Sequence, residues 1–435
     1  MKQRFGEEKA TDTQIWTQFP GTPAVGMAFL RAHLVTGDSN YLAAARLAGT
    51  ALVRGQLESG GWDYLIDFSA EQGMKSYRRS DVGKIDAALL AKRKNVTTFD
   101  DDVTQGTLRF LMTLSDTTKG SRLAEDIQIR DAVEYGLKKL MGAQYLNGAW
   151  PQRFLGLQTE VKADPRLRAS IPKDWPKVWS KEPYYSHYTL NDQSHRQCVL
   201  TLLEAHRLFG KPEYLQAAIR GGDFLLLAQL PSPQSGWAQQ YNHRMEPAWA
   251  RAFEPPALSS GESVGAIRTL VDLFVETGEE RFMKVVPRGL EWLEKSSIGT
   301  NRWSRFYELG SNRPLYGDRD GKVHYTLAEL SDERRTGYGW EGDFGVASVK
   351  TYYGKVKADG REEILRSKSP TLMTLKQKES RRRALEKRVQ SILKEQGMDG
   401  GWVHDGWLEM KVFVQNMGVL SDYIETYRTS DAPGN

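Results

Sequence analysis

Gly60-Gly61-Trp62, Gly148-Ala149-Trp150, Ser235-Gly236-Trp237 and Gly400-Gly401-Trp402 are four copies of one short phrase, two small residues followed by a tryptophan. Trp303, in Asn301-Arg302-Trp303, fills a fifth slot of the same kind. The first three tryptophans lie 88 and then 87 residues apart. The chain is therefore a repeat protein, and the repeat has to be read before any single element.

Working outward from each tryptophan, every repeat reads as two amphipathic helices. Ala24 to Thr36 carries apolar residues at helical spacing, with Pro23 suited to a first turn. A glycine turn at Gly37 leads to a second helix from about Tyr41 to Leu57. The third repeat copies this as Ser194 to Phe209, Gly210, then Tyr214 to Leu230; the fourth as Val264 to Thr277, Gly278, then Arg281 to Lys295. The second repeat runs from Thr104 to Gln144, with a longer connection expected around Ser115 to Asp126. Solenoid repeats usually have periods of about 20 to 50 residues. A period near 87, with inserts of 37 to 41 residues after Trp62, Trp150 and Trp303, favours an all-α, α/α toroid. Short glycine turns then fall at one end of each hairpin, and the long inserts, with possible short strands, gather on the opposite rim, where a binding cleft is expected. The expectation is a single catalytic domain over 12–430, with 1–11 a flexible N-terminus.

Composition narrows the class. At 435 residues with 40% hydrophobic and 26% charged residues, the chain is of ordinary globular type. No run is long and apolar enough to span a bilayer, and mean hydropathy is −0.55. Met1 to Thr11 is charged and shows no apolar core of a signal peptide. The net charge of +5 permits a polyanionic partner without demanding one. The single cysteine, Cys198, beside Val199, Leu200 and Leu203, reads as core packing and excludes an intramolecular disulfide. Twelve tryptophans, 18 tyrosines and 15 phenylalanines can fill cores or stack on sugar rings. The basic segment Glu379 to Gln396 has apolar residues at helical spacing and reads as an outer helix rather than a nucleic-acid patch, and Trp407 to Tyr427 reads as a last helix closing the ring.

Two acidic clusters stand at helix starts, Phe99-Asp100-Asp101-Asp102 and Asn191-Asp192. Capping favours such residues there. Three successive aspartates exceed what a cap needs, and a calcium ion would offset their repulsion. The matching start Ser259-Ser260-Gly261 has no aspartate, so both readings stay open. Between Trp303 and Trp340 lie Arg305, Arg313, Arg319, Arg334 and Arg335, among Glu308, Asp318, Asp320, Asp332 and Glu333 and several aromatics. Internal ion pairing explains such a loop; so does recognition of a sugar acid, since guanidinium forks bind carboxylates in pairs.

The chain resembles the pectate lyases of polysaccharide lyase family ten. The resemblance rests on ordered motifs: Thr98-Phe99-Asp100-Asp101-Asp102-Val103-Thr104, Gly148-Ala149-Trp150-Pro151-Gln152, His187-Tyr188-Thr189-Leu190-Asn191-Asp192, Ala250-Arg251-Ala252-Phe253-Glu254-Pro255, Arg305-Phe306-Tyr307-Glu308 with Asn312-Arg313-Pro314, and Glu333-Arg334-Arg335-Thr336-Gly337-Tyr338. It covers roughly Gln14 to Tyr427. It implies calcium-dependent β-elimination on polygalacturonate, with Asp100, Asp101 and Asp192 holding Ca2+ and Arg251 as the base. It also implies substrate contacts from His187, Arg305, Arg313, Arg319, Arg334, Arg335 and Tyr338, with carboxylates bound by Arg305, Arg319 and one of Arg334 or Arg335. The implied partner is an acidic polysaccharide, with no nucleic acid and no membrane insertion, and the implied enzyme is a secreted or periplasmic monomer. Asp101, Asp102 and Ala149 depart from the family's usual residues at those places, which bears on substrate choice and metal affinity. Other readings are a lyase for another polyuronate such as alginate, a non-catalytic glycan-binding relative, and a glycoside hydrolase, which would need two carboxylates flanking the bond.

Overall fold

A computed structural model of the chain describes residues 11–156, 164–369, 372–398 and 400–428, and the backbone of 2–3 and 8–9. Most of the N-terminal segment 1–11, expected to be flexible, and the last residues of the expected domain lie outside these. Lys2–Gln3 and Glu8–Lys9 pair as a two-residue antiparallel ladder. Internal contacts divide the chain into two compact units, one of 1–98, 102–139 and 363–435, the other of 99–101 and 140–362.

The first unit holds the hairpin Thr22–Thr36 and Ser39–Gly55, the helices Val103–Thr117 and most of Ala124–Gly142, and the closing pair Leu375–Lys394 and Met410–Glu425. The last helix lies against the first: Phe29 meets Phe413 at 5.2 Å, and Asp422 takes both Arg31 and Arg381. The basic face of Leu375–Lys394 is thus partly spent inside the unit, with Arg382 donating to the Thr426 carbonyl. The second unit holds Ser194–Phe209 with Pro212–Ala228, and Ser260–Thr277 with Arg281–Lys284 and Val286–Lys295, then Val346–Asp359. It also carries a five-stranded antiparallel sheet in the order Val323–His324, Pro314–Gly317, Phe306–Tyr307, Leu258–Ser259, Trp237–Ala238.

The helical spacing located these elements well, with three corrections. The second hairpin's connection spans only 118–123, because Ser115 to Thr117 and Ala124 to Asp126 extend their helices. The expected helix Arg281 to Lys295 is two helices, because Pro287 lacks a backbone N–H and belongs in a first turn. The segment Trp407 to Tyr427 opens with a strand, Trp407–Leu408, paired to Val403–His404, before its helix. The glycine turns stand where the sequence put them. Gly37, Gly210 and Gly278 have φ of 75°, 69° and 77°, the left-handed helix cap that glycine adopts without strain.

The repeated tryptophan explains the repeat. Each indole N–H donates to a carbonyl at the end of the preceding helix: Trp62 to Leu52 (2.8 Å), Trp150 to Leu140 (2.9 Å), Trp237 to Leu225 (2.9 Å), Trp303 to Leu293 (2.6 Å) and Trp402 to Ile392 (3.0 Å). A carbonyl left without an intrahelical partner is thereby satisfied inside the core. The ring fits because a neighbouring helix has no side chain in its way. A Cβ on Gly221 would meet Trp150 at 3.0 Å, and one on Gly289 would meet Trp237 at 2.8 Å. A glutamine shares the task. Gln56, Gln144 and Gln229 each donate to their own turn and to a second carbonyl, of Ala132 and Ala217 in neighbouring helices and of Val285 at a junction between two helices.

Replacing Trp237 with phenylalanine keeps most of the buried ring but orphans the Leu225 carbonyl. We expect Trp237→Phe to cost about 1–2 kcal/mol and Trp237→Ala about 3–5 kcal/mol, read as graded losses of melting temperature in thermal denaturation. Equal stability of wild type and Trp237→Phe would remove the indole bond as a contributor.

Candidate active site

Four of the hairpins are zipped at the mouth. The residue two past the tryptophan accepts a backbone N–H from the segment entering the same hairpin: Tyr64 from Thr17, Gln152 from Phe99, Gln239 from Leu190 and Arg305 from Ser260. Asp100 follows Phe99, and Asn191 follows Leu190, so the acids are fixed by this zipper rather than by a free loop.

Two of the entries then carry an unusual backbone. Asp101 and Asp102 have φ of 50° and 61°, and Asp192 and Gln193 have φ of 46° and 63°. Left-handed conformation costs a residue with a Cβ on the order of 1 kcal/mol or more. Counting from strand to helix shows what these pairs are. The Thr104 hydroxyl, six residues past Thr98, accepts the Trp62 N–H; the Ser263 hydroxyl, only four past Ser259, accepts the Trp237 N–H. The entry at Thr98 is thus two residues longer than the one at Ser259, and the left-handed pair accounts for the difference. It presents carboxylates where Ser260 runs directly into its helix.

The result is a cluster. Carboxylate oxygens of Asp100, Asp101 and Asp192 lie within 4.8 Å of one another, close enough to share one metal ion. Crowding by surrounding protein, then the charges of Asp100, Glu262, Asp101 and Glu254, push the Asp192 carboxyl up to about 7. Neighbouring side chains orient the set. Gln152 donates to Asp100 (3.1 Å), and Asn191 donates to Asp192 (2.8 Å). Asp102 is not part of it; its carboxylate pairs with Arg109. Neither Asp102 nor Gln193, the residues before the two helices, makes a side-chain cap.

Arg251 lies in a tight loop, 250–254. Its guanidinium Nε (2.8 Å) and Nη2 both donate to the buried carboxylate of Glu254. Burial would weaken its charge, but Glu254, Tyr338 and Asp192 raise its pKa above the ordinary arginine value. Around it lies a stack of rings and cations. Arg334 sits over Phe253 at 4.5 Å, Arg305 over Tyr338 at 4.6 Å, and Phe253 and Tyr338 meet edge to face at 5.3 Å.

The expected substrate residues therefore sort into groups. Arg305, Arg334 and Tyr338 share surroundings with Arg251, and Arg319 reaches the Phe253 ring at 5.8 Å. Internal ion pairing holds for much of the loop: Arg319 and Arg334 share Glu333, Arg335 pairs with Asp332, and Arg313 pairs with Glu308. Arg305 has no carboxylate partner among the described residues and donates to the Gly339 carbonyl. Arg313 belongs to another cluster, with its guanidinium 4.1 Å from the Tyr325 ring and Glu308 also taking Lys177. His187 faces His243 at 6.3 Å, and burial, then the His243 charge, lowers it to about 4. Cys198 is fully buried, as core packing required.

Three contributors escaped the sequence reading: Glu254, Gln152 and Glu262. The first two lie inside quoted motifs, and the register two residues past each tryptophan was a signal that could have found Gln152. Gln239 occupies that register too, and its buried amide has no hydrogen-bond partner among the described residues. Glu262 carried no signal: it becomes relevant only because its buried carboxylate, bonded to Ser259, acts on Asp192.

The fold is that of a polysaccharide lyase. A family 10 polysaccharide lyase from Cellvibrio cellulosa matches over 77% of this chain and 97% of its own, at 22% identity and a TM-score of 0.51. A mutant of that enzyme, in complex with trigalacturonic acid, matches over 77% and 98% with the same identity and score. The expected all-α, α/α-toroid class stands. The pectic acid lyase family matches residues 56–302 and 295–349, and the chain belongs to that family. It is accordingly a lyase. No curated protein sequence matches it. No helix among the described residues is long and apolar enough to cross a membrane.

Two measurements probe this region. Removing the side chain that orients Asp100, in Gln152→Ala, is expected to weaken binding of a divalent cation by about 10-fold, read by calorimetric titration; unchanged affinity would detach Gln152 from the cluster. Burial alone would raise the Glu308 carboxyl, but hydrogen bonds from Lys177, Ser311 and Tyr325, with the Lys177 charge, hold it at about 2 against an ordinary 4.5. Its stabilisation is complete above the ordinary value and disappears as pH falls toward the folded one. Glu308→Gln should therefore cost about 2 kcal/mol at neutral pH. The gap should close in acid, in denaturant melts across that window; a gap independent of pH would refute the account.

Proposed function

We propose that this lyase cleaves polygalacturonate by calcium-dependent β-elimination, yielding 4,5-unsaturated oligogalacturonides. The observation that carries this reading is the trio Asp100, Asp101 and Asp192, with Asp192 in the electrostatic reach of Arg251. Three hard oxygen donors at that spacing suit calcium. The ligand in the related complex, trigalacturonic acid, is the same kind of sugar acid.

The chemistry follows from what elimination requires. A C5 proton is weakly acidic because its removal builds negative charge on the adjoining carboxylate. Bound calcium would neutralise that carboxylate and so lower the barrier. Arg305, with no carboxylate partner among the described residues, is suited to bind a uronate, and Arg319 and Arg334 line the same aromatic group. Tyr338 and Phe253 shape the wall against which a sugar ring would lie. Arg251 takes the C5 proton, the electron pair forms the C4–C5 double bond, and the glycosidic oxygen at C4 departs. Guanidinium is an acid in water, so this role needs cations nearby to favour its neutral form. In the ligand-free protein Glu254 works the other way.

The test is ultraviolet absorbance of unsaturated product on polygalacturonate and alginate, with calcium or with chelator. Product from polygalacturonate, abolished by chelator, is expected; no product from any polyuronate with calcium present sinks the lyase reading for these substrates. Product from alginate alone would move the substrate. Arg305→Ala should raise KM by about 10-fold or more with a smaller effect on kcat, and an unchanged KM would remove Arg305 from the binding surface.

A further inference from the structure

We propose that Glu254 is a positioning residue of the elimination: it grips the Nε–Nη2 edge of Arg251 and leaves Nη1 as the one nitrogen that can meet the substrate proton. This rests on the lyase reading above and goes beyond it. Glu254 is 1% exposed, and burying a carboxylate without partners is costly. Here the partners are complete. One oxygen accepts from the Arg251 backbone N–H (3.2 Å) and Nε (2.8 Å), and the other accepts from Nη2 and the Tyr338 hydroxyl (3.1 Å). Four donors fill about four lone-pair sites. The loop is closed besides, with Glu254 N–H to the Arg251 carbonyl (2.8 Å) and Ala250 N–H to the Glu254 carbonyl (3.1 Å). Neither the carboxylate nor the guanidinium plane has freedom to turn.

That geometry decides a question of tautomer. A guanidinium can lose a proton from any of its three nitrogens, and only the nitrogen that loses it becomes basic. Glu254 needs hydrogens on Nε and Nη2, so loss from either would leave a lone pair facing a carboxylate. Loss from Nη1 keeps both bonds and points the new lone pair outward. A carboxylate plays the same part when it holds a catalytic histidine in one tautomer. In the reaction the C5–H bond breaks, its proton bonds to Nη1, its electron pair becomes the C4–C5 double bond, and the C4–O bond breaks with its pair leaving on oxygen. Glu254 keeps its charge and both bonds throughout. It also raises the cost of the neutral guanidine, so orientation is gained against proton affinity. The plain alternative is a structural ion pair that only ties the loop.

The experiment is steady-state kinetics of Glu254→Gln and Glu254→Asp on polygalacturonate with calcium, with a C5-deuterated substrate compared in each. Glutamine must turn either its amino group or a single acceptor toward two donors, so the two-point grip is lost. Glu254→Gln should lower kcat about 100-fold or more, change KM by less than about threefold and enlarge the isotope effect, because proton removal becomes slower than later steps. Glu254→Asp keeps both acceptors but is one methylene shorter, so it displaces the guanidinium and should lower kcat about tenfold, between wild type and Glu254→Gln. A folded Glu254→Gln with wild-type kcat overturns the proposal, and so does a loss confined to KM. If Glu254→Gln fails to fold by circular dichroism, Glu254→Asp decides: a wild-type kcat and isotope effect sink the idea, and a lowered kcat with unchanged KM supports it. Absence of unsaturated product from the wild type is the separate failure, that of the lyase reading itself.

Discussion

The bond from each tryptophan indole to a helix-end carbonyl is the constraint on which the rest depends. It fixes how the chain leaves its second helix, and therefore where the next two residues go. Two residues on, a backbone carbonyl takes the N–H of the hairpin's own entering strand, at Gln152 and Phe99 or at Arg305 and Ser260. The entering strand is thereby held at its last residue, one step before Asp100 in one hairpin and before Asp192's neighbour Asn191 in another. A buried hydrogen bond thus sets the position of the acidic side chains. One hydrogen bond contributes only about 1 kcal/mol, but here it also aims a backbone that would otherwise have many exits.

Strain enters where the charges are. Two entries insert a left-handed pair that the Ser259 entry lacks, and each insertion costs energy that core packing must offset. Aspartate tolerates this conformation better than most residues, and it also brings the oxygens a cation needs. The sequence shows the aspartates plainly. It does not show the insertion, because nothing in Asp101-Asp102 distinguishes a left-handed pair from a helical first turn. Only the contrast with Ser259 to Ser263 reveals the extra two residues.

Most of the helical architecture was legible for a related reason. Periodicity reports which face is buried, and here long helices bury regular faces, as Ser194–Phe209 does from Ser194 to Ala205. Errors arose at local chemistry that periodicity ignores: Pro287 splitting a helix, or the Trp407–Leu408 strand where a helix was expected. The site was legible as residue types but not as pairings. Arg305 and Arg319 look alike in sequence, yet one has no carboxylate partner among the described residues and the other is held by Glu333 in two bonds. Partner choice is a tertiary fact, and no spacing within the loop encodes it.

That difference in partners bears on how a polyanion would be received. A guanidinium already paired to an exposed glutamate presents little net charge, since such pairs are weak and easily exchanged. Arg319 can therefore bind a uronate only by giving up Glu333, and the exchange of one carboxylate for another is nearly balanced. Arg305 has no such exchange to make. Arg251 is the opposite extreme: its pair is to a buried carboxylate with every lone pair engaged, and separating them would strand a charge in the interior. The three arginines thus form a graded set, one open, one exchangeable and one locked. A locked arginine contributes a fixed direction rather than affinity, and direction is what proton removal from a single carbon requires.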